Sequence, residues 1–343
     1  MPLFIRNLYL KNLLALALFS VLVYGCKSND SSEQTAEQAA PALVKSADFN
    51  ADSAFAFIKK QVAFGPRVPN SKAHKAAGDY FISTLKQYGW QVTEQPFTDT
   101  TFDNTVVNAR NIIASLNPTA AKRIMLAAHW DSRPFADQDS LNKTKPVPAA
   151  NDGASGVAVL LEIARSISTQ TSKLDIGVDL VLFDAEDWGS TDKPTNMEHS
   201  GFCLGSMYWS AHKHIPNYTA YFGVLLDMVG AKGATFYKEG NSTQLAPDVV
   251  KTVWSTASRL GYSNQFINSN GNAITDDHLP VNQIARIPMI DIIDTRPNSM
   301  LQSFFAEWHT THDDLDVIDP QTLKAVGQTL MQVLYQEAAD QAL

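Results

Sequence analysis

The stretch LVLFDAED, residues 180–187, is a run of apolar residues that breaks abruptly into the carboxylates Asp184, Glu186 and Asp187. Such a run suits a strand buried on both faces of a sheet, which puts the acids at its carboxyl end. The pattern recurs along the chain: IMLAAH (124–129) ends in His129, GVLLD (223–227) ends in Asp227, and PMIDIID (288–294) leads into a loop carrying His309. Strand-like runs are expected at 91–96, 105–116, 123–129, 180–183, 222–228 and 288–293. Helical spacing of Val157, Leu160, Leu161 and Ala164 predicts a helix after Gly153. Amphipathic patterns predict others near 52–63 and 71–88, the second stopping at Gly89, with further helices near 247–260 and 320–340. Strands alternating with helices indicate an α/β three-layer sandwich around a mostly parallel, mixed central sheet. Residues 46–343 show no second linker and no repeat, and are expected to form a single domain.

The beginning of the chain reads differently. Arg6 and Lys11 flank an apolar stretch from Leu13 to Val23, with no acid before Asp30. This is a secretory signal pattern over residues 1–25, too short to favour a spanning helix. Val23-Tyr24-Gly25-Cys26 resembles a bacterial lipobox, so Cys26 is expected to carry acyl chains and to become the new N-terminus. Residues 26–45, rich in Ser, Gln, Ala and Glu, follow as a flexible tether. Lys27 after the Cys leans toward the outer membrane, so the expectation is an extracytoplasmic lipoprotein facing the periplasm. Cys203 has no intramolecular partner left and is read as a buried small hydrophobe. The formal net charge is −8 and no Lys/Arg-rich run occurs, which argues against nucleic acid as a partner.

In open α/β sheets, ligands bind beyond the carboxyl ends of the strands. His129, Asp152, Glu186, Asp187, Asp227 and His309 are all expected there. Histidine and carboxylate without cysteine make a plausible shell for a catalytic zinc. Asp131, two residues beyond His129, is spaced to orient that ring or to cap the strand end. His312 shares a short loop with His309 and could replace it. His74, His199, His212 and His214 sit in polar or helix-like surroundings and are read as surface residues.

These residues carry a resemblance. His129-Trp130-Asp131, Asn151-Asp152-Gly153, Glu186-Asp187, Leu226-Asp227-Met228 and His309-Thr310-Thr311-His312-Asp313 resemble the ordered motifs of the zinc aminopeptidase superfamily. DAEDWG (184–189), SGFCLGSMYWS (200–210), LLDMVGA (225–231), ATFYKEG (234–240), ITDDH (274–278) and EWHTTHDD (307–314) are similar to its glutaminyl cyclase branch, especially the bacterial lipoproteins. The resemblance implies a zinc aminopeptidase-like fold, one Zn²⁺ per chain held by Asp152, Asp187 and His309, and peptide substrates with N-terminal Gln. It makes Glu186 the general acid/base and Asp276 a carboxylate hydrogen-bonded to it. It places Trp308 and Phe305 in the wall of the substrate pocket. His129 and Asp227 match ligands of a second zinc that the cyclases lack, and are expected to face each other joined by a hydrogen bond. The competing readings are a two-zinc aminopeptidase and a non-catalytic peptide-binding lipoprotein.

Overall fold

The computed structural model describes residues 42–171, 174–190, 201–296 and 304–341. The leader, Cys26, nearly all of the tether and His199 lie outside the described residues. Leu43–Leu343 form one compact unit.

Two helices open it. In α1 (Ala51–Val62) the Asn50 side chain accepts from Ser53 N, satisfying one of the free N–H groups at the helix start, and Ala54, Phe57, Ile58 and Gln61 form the buried stripe. In α2 (Lys72–Gln87) Ser71 accepts from His74 N. The buried face of α2 includes His74, Ala77, Phe81 and Leu85, so His74 points inward rather than to solvent as its polar, helix-like surroundings suggested. Its ring stacks on Trp130 at 4.2 Å and meets Asp184 Oδ1 at 2.8 Å.

The central sheet contains β1 (Gln91–Thr100), β2 (Val106–Leu116), β3 (Arg123–His129), β4 (Gly177–Phe183), β5 (Phe222–Asp227) and β8 (Met289–Ile293), in the order β1-β2-β4-β3-β5-β8. β1 and β2 pair antiparallel, as do β2 and β4, while β4, β3, β5 and β8 run parallel. Every residue of β3, β4, β5 and β8 is buried, which is why these strands are largely apolar, with Asp179 in β4 and Asp291 in β8 as buried exceptions. Alternation sends Ile124, Leu126 and Ala128 into the larger core, and Met125 and Ala127 into a second core on the opposite face. The larger core is completed by α1, α2, α3 (Ala154–Ser168), α6 (Pro247–Arg259) and α7 (Pro320–Gln341). The thinner layer opposite includes Trp209 of α4 (Leu204–Ala211) and the helical segment Val281–Ala285. Three layers result.

Several elements escaped the reading of the sequence. β4 begins at Gly177, earlier than the apolar run suggested, because Asp179 interrupts that run. The structure buries Asp179 by pairing its carboxylate with Arg123, at 2.8 Å from Nε and 2.6 Å from Nη2. Also unforeseen are α4, the short α5 (Gly240–Leu245) and a two-stranded parallel sheet of β6 (Phe236–Lys238) and β7 (Phe266–Asn270).

From β3 the chain passes through α3 to β4 on one side, and β5 then pairs on the other side of β3. This reversal opens a crevice at the carboxyl ends of the central strands.

Candidate active site

The expected residues converge on that crevice. His129 closes β3, Glu186 and Asp187 follow β4, and Asp227 closes β5. Asp152 comes from the loop before α3, and His309 from the loop after β8. A cavity of about 410 Å³ opens over them, floored by Asp152, Glu186, Asp187 and His309 and walled by Ile274, Ile293, Phe304 and Trp308. The Trp308 ring lies flat on His309, centroids 3.6 Å apart. Phe305, expected in this wall, instead packs behind it with Met228, Ala231 and Ile293; its neighbour Phe304 takes the place. His312 is exposed and stays out of the cluster.

The loops are held in unusual conformations. Ala185 (φ 54°), Met228 (φ 52°) and His309 (φ 55°) occupy left-handed backbone regions, which cost a non-glycine residue about 1–3 kcal/mol. Fixed contacts keep them there. Asp131 accepts the backbone N–H groups of Glu186 (3.0 Å) and Asp187 (3.1 Å), besides standing 3.4 Å from His129 Nδ1. Cys203 N–H donates to Glu186 O at 2.9 Å, and Gln138 N–H to His309 O at 3.2 Å. The Asp313 carboxylate, to which sequence assigned no role, receives Asn151 N–H at 2.8 Å and Asp152 N–H at 3.0 Å.

Gly153, beside Asp152, allows the loop to close on His129, because a Cβ there would collide with the His129 ring and carbonyl. Gly153→Ala is therefore expected to destabilise the fold by about 1–3 kcal/mol, as overpacking does. A denaturant midpoint equal to that of the wild type would contradict the close approach.

Asp152, Asp187 and His309 each offer a donor atom within 4.8 Å of the others. His309 Nε2 lies 3.2 Å from Asp187 Oδ1 and 3.7 Å from Asp152 Oδ2. Donors on one tetrahedral zinc, at about 2.0–2.1 Å from it, stand about 3.3–3.4 Å apart, so the trio fits such an ion. His129, Asp152 and Asp227 form a second trio. There His129 Nε2 is 2.9 Å from Asp152 Oδ1 and 3.3 Å from Asp227 Oδ1. His129 Nε2 and Asp227 Oδ1 face each other as expected, at ion-pair distance, though without the alignment of a hydrogen bond to any of the described residues.

The electrostatics are those of crowded acids. Burial, reinforced by Asp187, Asp276 and Asp277 and opposed by His129, holds the Glu186 carboxyl well above its ordinary pKa. Burial and then Asp227 push Asp276 up to about 7; burial and Asp152, opposed by His129, push Asp227 up to about 6. Burial works to lower the pKa of His129, yet Asp131, Asp152 and Asp227 outweigh it and hold the ring well above its usual value. A bound divalent cation would relieve this excess of negative charge.

Asp276 lies with Glu186 and Cys203 in one tight group. In place of the expected hydrogen bond from Asp276 to Glu186, Cys203 Sγ stands 3.5 Å from Glu186 Oε1, and Asp276 Oδ2 has no hydrogen-bond partner among the described residues. Cys203 is buried as expected, but against a carboxylate rather than among apolar groups alone. Arg133 and Asp137, both missed in the sequence, flank the Asp187–His309 pair. Their i, i+4 spacing and opposite charge were the only local signal.

Residues 111–334 match Peptidase family M28. The chain is 48% identical to Bacteroides thetaiotaomicron glutaminyl cyclase, whose structure was solved with N-acetylhistamine bound; the match covers 85% of this chain and 99% of that one, with a TM-score of 0.81. It is 49% identical to a Zn-dependent exopeptidase from Parabacteroides distasonis over the same shares, also with a TM-score of 0.81. A glutaminyl-peptide cyclotransferase of Drosophila melanogaster is 25% identical over 277 residues, 74% of this chain and 72% of that one. With the crevice, the acids at its strand ends and these likenesses together, the chain belongs to peptidase family M28 and, within it, to the bacterial glutaminyl cyclases.

Proposed function

We propose that the protein cyclises N-terminal glutamine of peptides to pyroglutamate, releasing ammonia, with one zinc held by Asp152, Asp187 and His309. The observation that carries the reading is the Glu186 carboxyl beside that trio at the floor of a walled cleft, in a chain 48% identical to a glutaminyl cyclase. Asp152, Asp187 and His309 would hold the ion, which when bound would supply Lewis-acid polarisation of the γ-carboxamide.

The protein's own groups do the rest. Glu186 takes a proton from the substrate's α-amino group as that nitrogen attacks the γ-carbonyl carbon, and delivers it to the departing amide nitrogen as the C–N bond breaks. A carboxyl at the floor of the cleft, able to accept a proton and to return it, is suited to this two-way traffic. Asp131 and Cys203 hold the Glu186 backbone, and Trp308, Ile274 and Ile293 shelter the reacting atoms from water. Because the nucleophile is tethered to its target, attack proceeds with an effective molarity of up to about 10⁵–10⁸ M.

The intact trio of His129, Asp152 and Asp227 favours one alternative, a two-zinc aminopeptidase. Its His129–Asp227 spacing of 3.3 Å suits a shared zinc as well as the first trio does, so the cyclase reading rests on the likeness to the glutaminyl cyclases. The two are separated by giving one preparation a Gln-initiated peptide and a leucine anilide. Ammonia release from the first and inertness toward the second are expected; the reverse would sink the cyclase.

The proposed location is the periplasmic face of a membrane, anchored through Cys26. Acyl chains contribute about 0.8 kcal/mol per buried CH₂, so two or more hold stably. Cys26→Ser is expected to move the enzyme into the soluble extracytoplasmic fraction with full specific activity. Unchanged membrane association would refute the anchor.

A further inference from the structure

Arg133 is fully buried; its guanidinium lies 4.5 Å from the Phe135 ring centre, and its side-chain hydrogen bonds run to the Asp187 loop and to Asp137. Nη1 donates to Asp187 Oδ1 at 3.1 Å and to Asp187 O at 3.2 Å, and Nη2 donates to Gly189 O at 3.0 Å. The other edge of the guanidinium grips Asp137, with Nε to Oδ1 at 2.8 Å and Nη2 to Oδ2 at 3.0 Å. Asp137 Oδ1 in turn stands 3.3 Å from His309 Nδ1, the ring nitrogen opposite the one that faces Asp187 and Asp152. A planar guanidinium with a fixed fork of donors thus ties one ligand, directly, to the carboxylate that faces the other.

We infer that Arg133 and Asp137 are positioning residues for the metal, a rigid bridge that fixes Asp187 and the His309 ring at ligating distance before the ion arrives. The inference rests on the single-zinc reading above and deepens it. Its physical basis is twofold. A carboxylate 3.3 Å from Nδ1, at ion-pair distance though short of an aligned hydrogen bond, favours the tautomer whose Nε2 lone pair is free for the ion and restrains the ring's rotation. Asp187 has a short side chain whose carboxyl must be brought to the metal by its backbone. Arg133 holds that backbone at two carbonyls, those of Asp187 and Gly189.

The test is zinc affinity, measured by chelator competition on the full chain, with the melting temperature of the metal-free protein recorded alongside. Loss of partners that orient ligands typically weakens metal binding about 10–100-fold. Asp137→Ala is expected to show a loss of that size while the metal-free melting temperature stays close to that of the wild type. Asp137→Asn keeps an acceptor oxygen for Nδ1 and should lose less than Asp137→Ala. Affinity of Asp137→Ala within about threefold of the wild type would overturn the bridge. So would a fall in metal-free melting temperature with unchanged affinity, the mark of a merely structural role. Should Asp137→Ala not fold, Arg133→Lys carries the test: its point charge cannot span Asp137 and Asp187 together, and wild-type affinity there would overturn the bridge equally. A wild-type protein that binds no zinc refutes both the bridge and the metal reading. Tight zinc binding with leucine-anilide hydrolysis refutes the cyclase and leaves the bridge standing.

Discussion

Glu186→Gln is expected to lower kcat by about 10²–10⁴-fold while the metal stays in place. Glutamine fills the same space and keeps an acceptor oxygen for the Cys203 thiol, and the backbone contact to Asp131 is untouched. What it lacks is the capacity to take up a proton at neutral pH and hand it on. A fall in kcat at nearly constant KM is the signature of an interaction made only in the transition state. The variant also removes one half-buried acid from a crowded group, so it should fold at least as well as the wild type. Activity within about tenfold of wild type would take proton transfer away from Glu186. Loss of metal would mean instead that Glu186, and not Asp187, is the ligand.

The fold was legible where burial is two-sided. β3, β5 and β8 announce themselves because no residue in them faces water, and α3 because its apolar positions recur at helical spacing. Asp179 hid the start of β4, since its partner Arg123 belongs to another strand. β7 is mostly exposed and polar, and α4 spans a single short stretch, so neither produces a period long enough to read. The site follows the same division. The ligands were visible because each stands at or beyond the end of an apolar run. The groups that hold them were not, because Arg133 meets Asp187, and Asp313 meets the backbone of Asp152, across separations that leave no local pattern. His74 is the instructive exception. Its spacing to Ala77, Phe81 and Leu85 puts it on the buried face of α2, although its sequence surroundings are polar.

His309→Ala is expected to abolish both metal retention and turnover. It removes the only nitrogen donor from the Asp152–Asp187–His309 trio and leaves two carboxylates facing each other across the gap. It also strips Trp308 of the ring on which it stacks, so the pocket wall should loosen too. His129→Ala provides the contrast, since His129 belongs to the other trio. It should impair the hold on Asp152 and Asp227 yet keep the metal. Retention of zinc by His309→Ala would place the ion elsewhere.

The most direct measurement is the zinc content of the dialysed wild-type protein, taken with the leucine-anilide assay on the same sample. One zinc per chain, with no leucine-anilide hydrolysis, is the predicted result. Two zincs per chain with hydrolysis would contradict the account and make the protein an aminopeptidase.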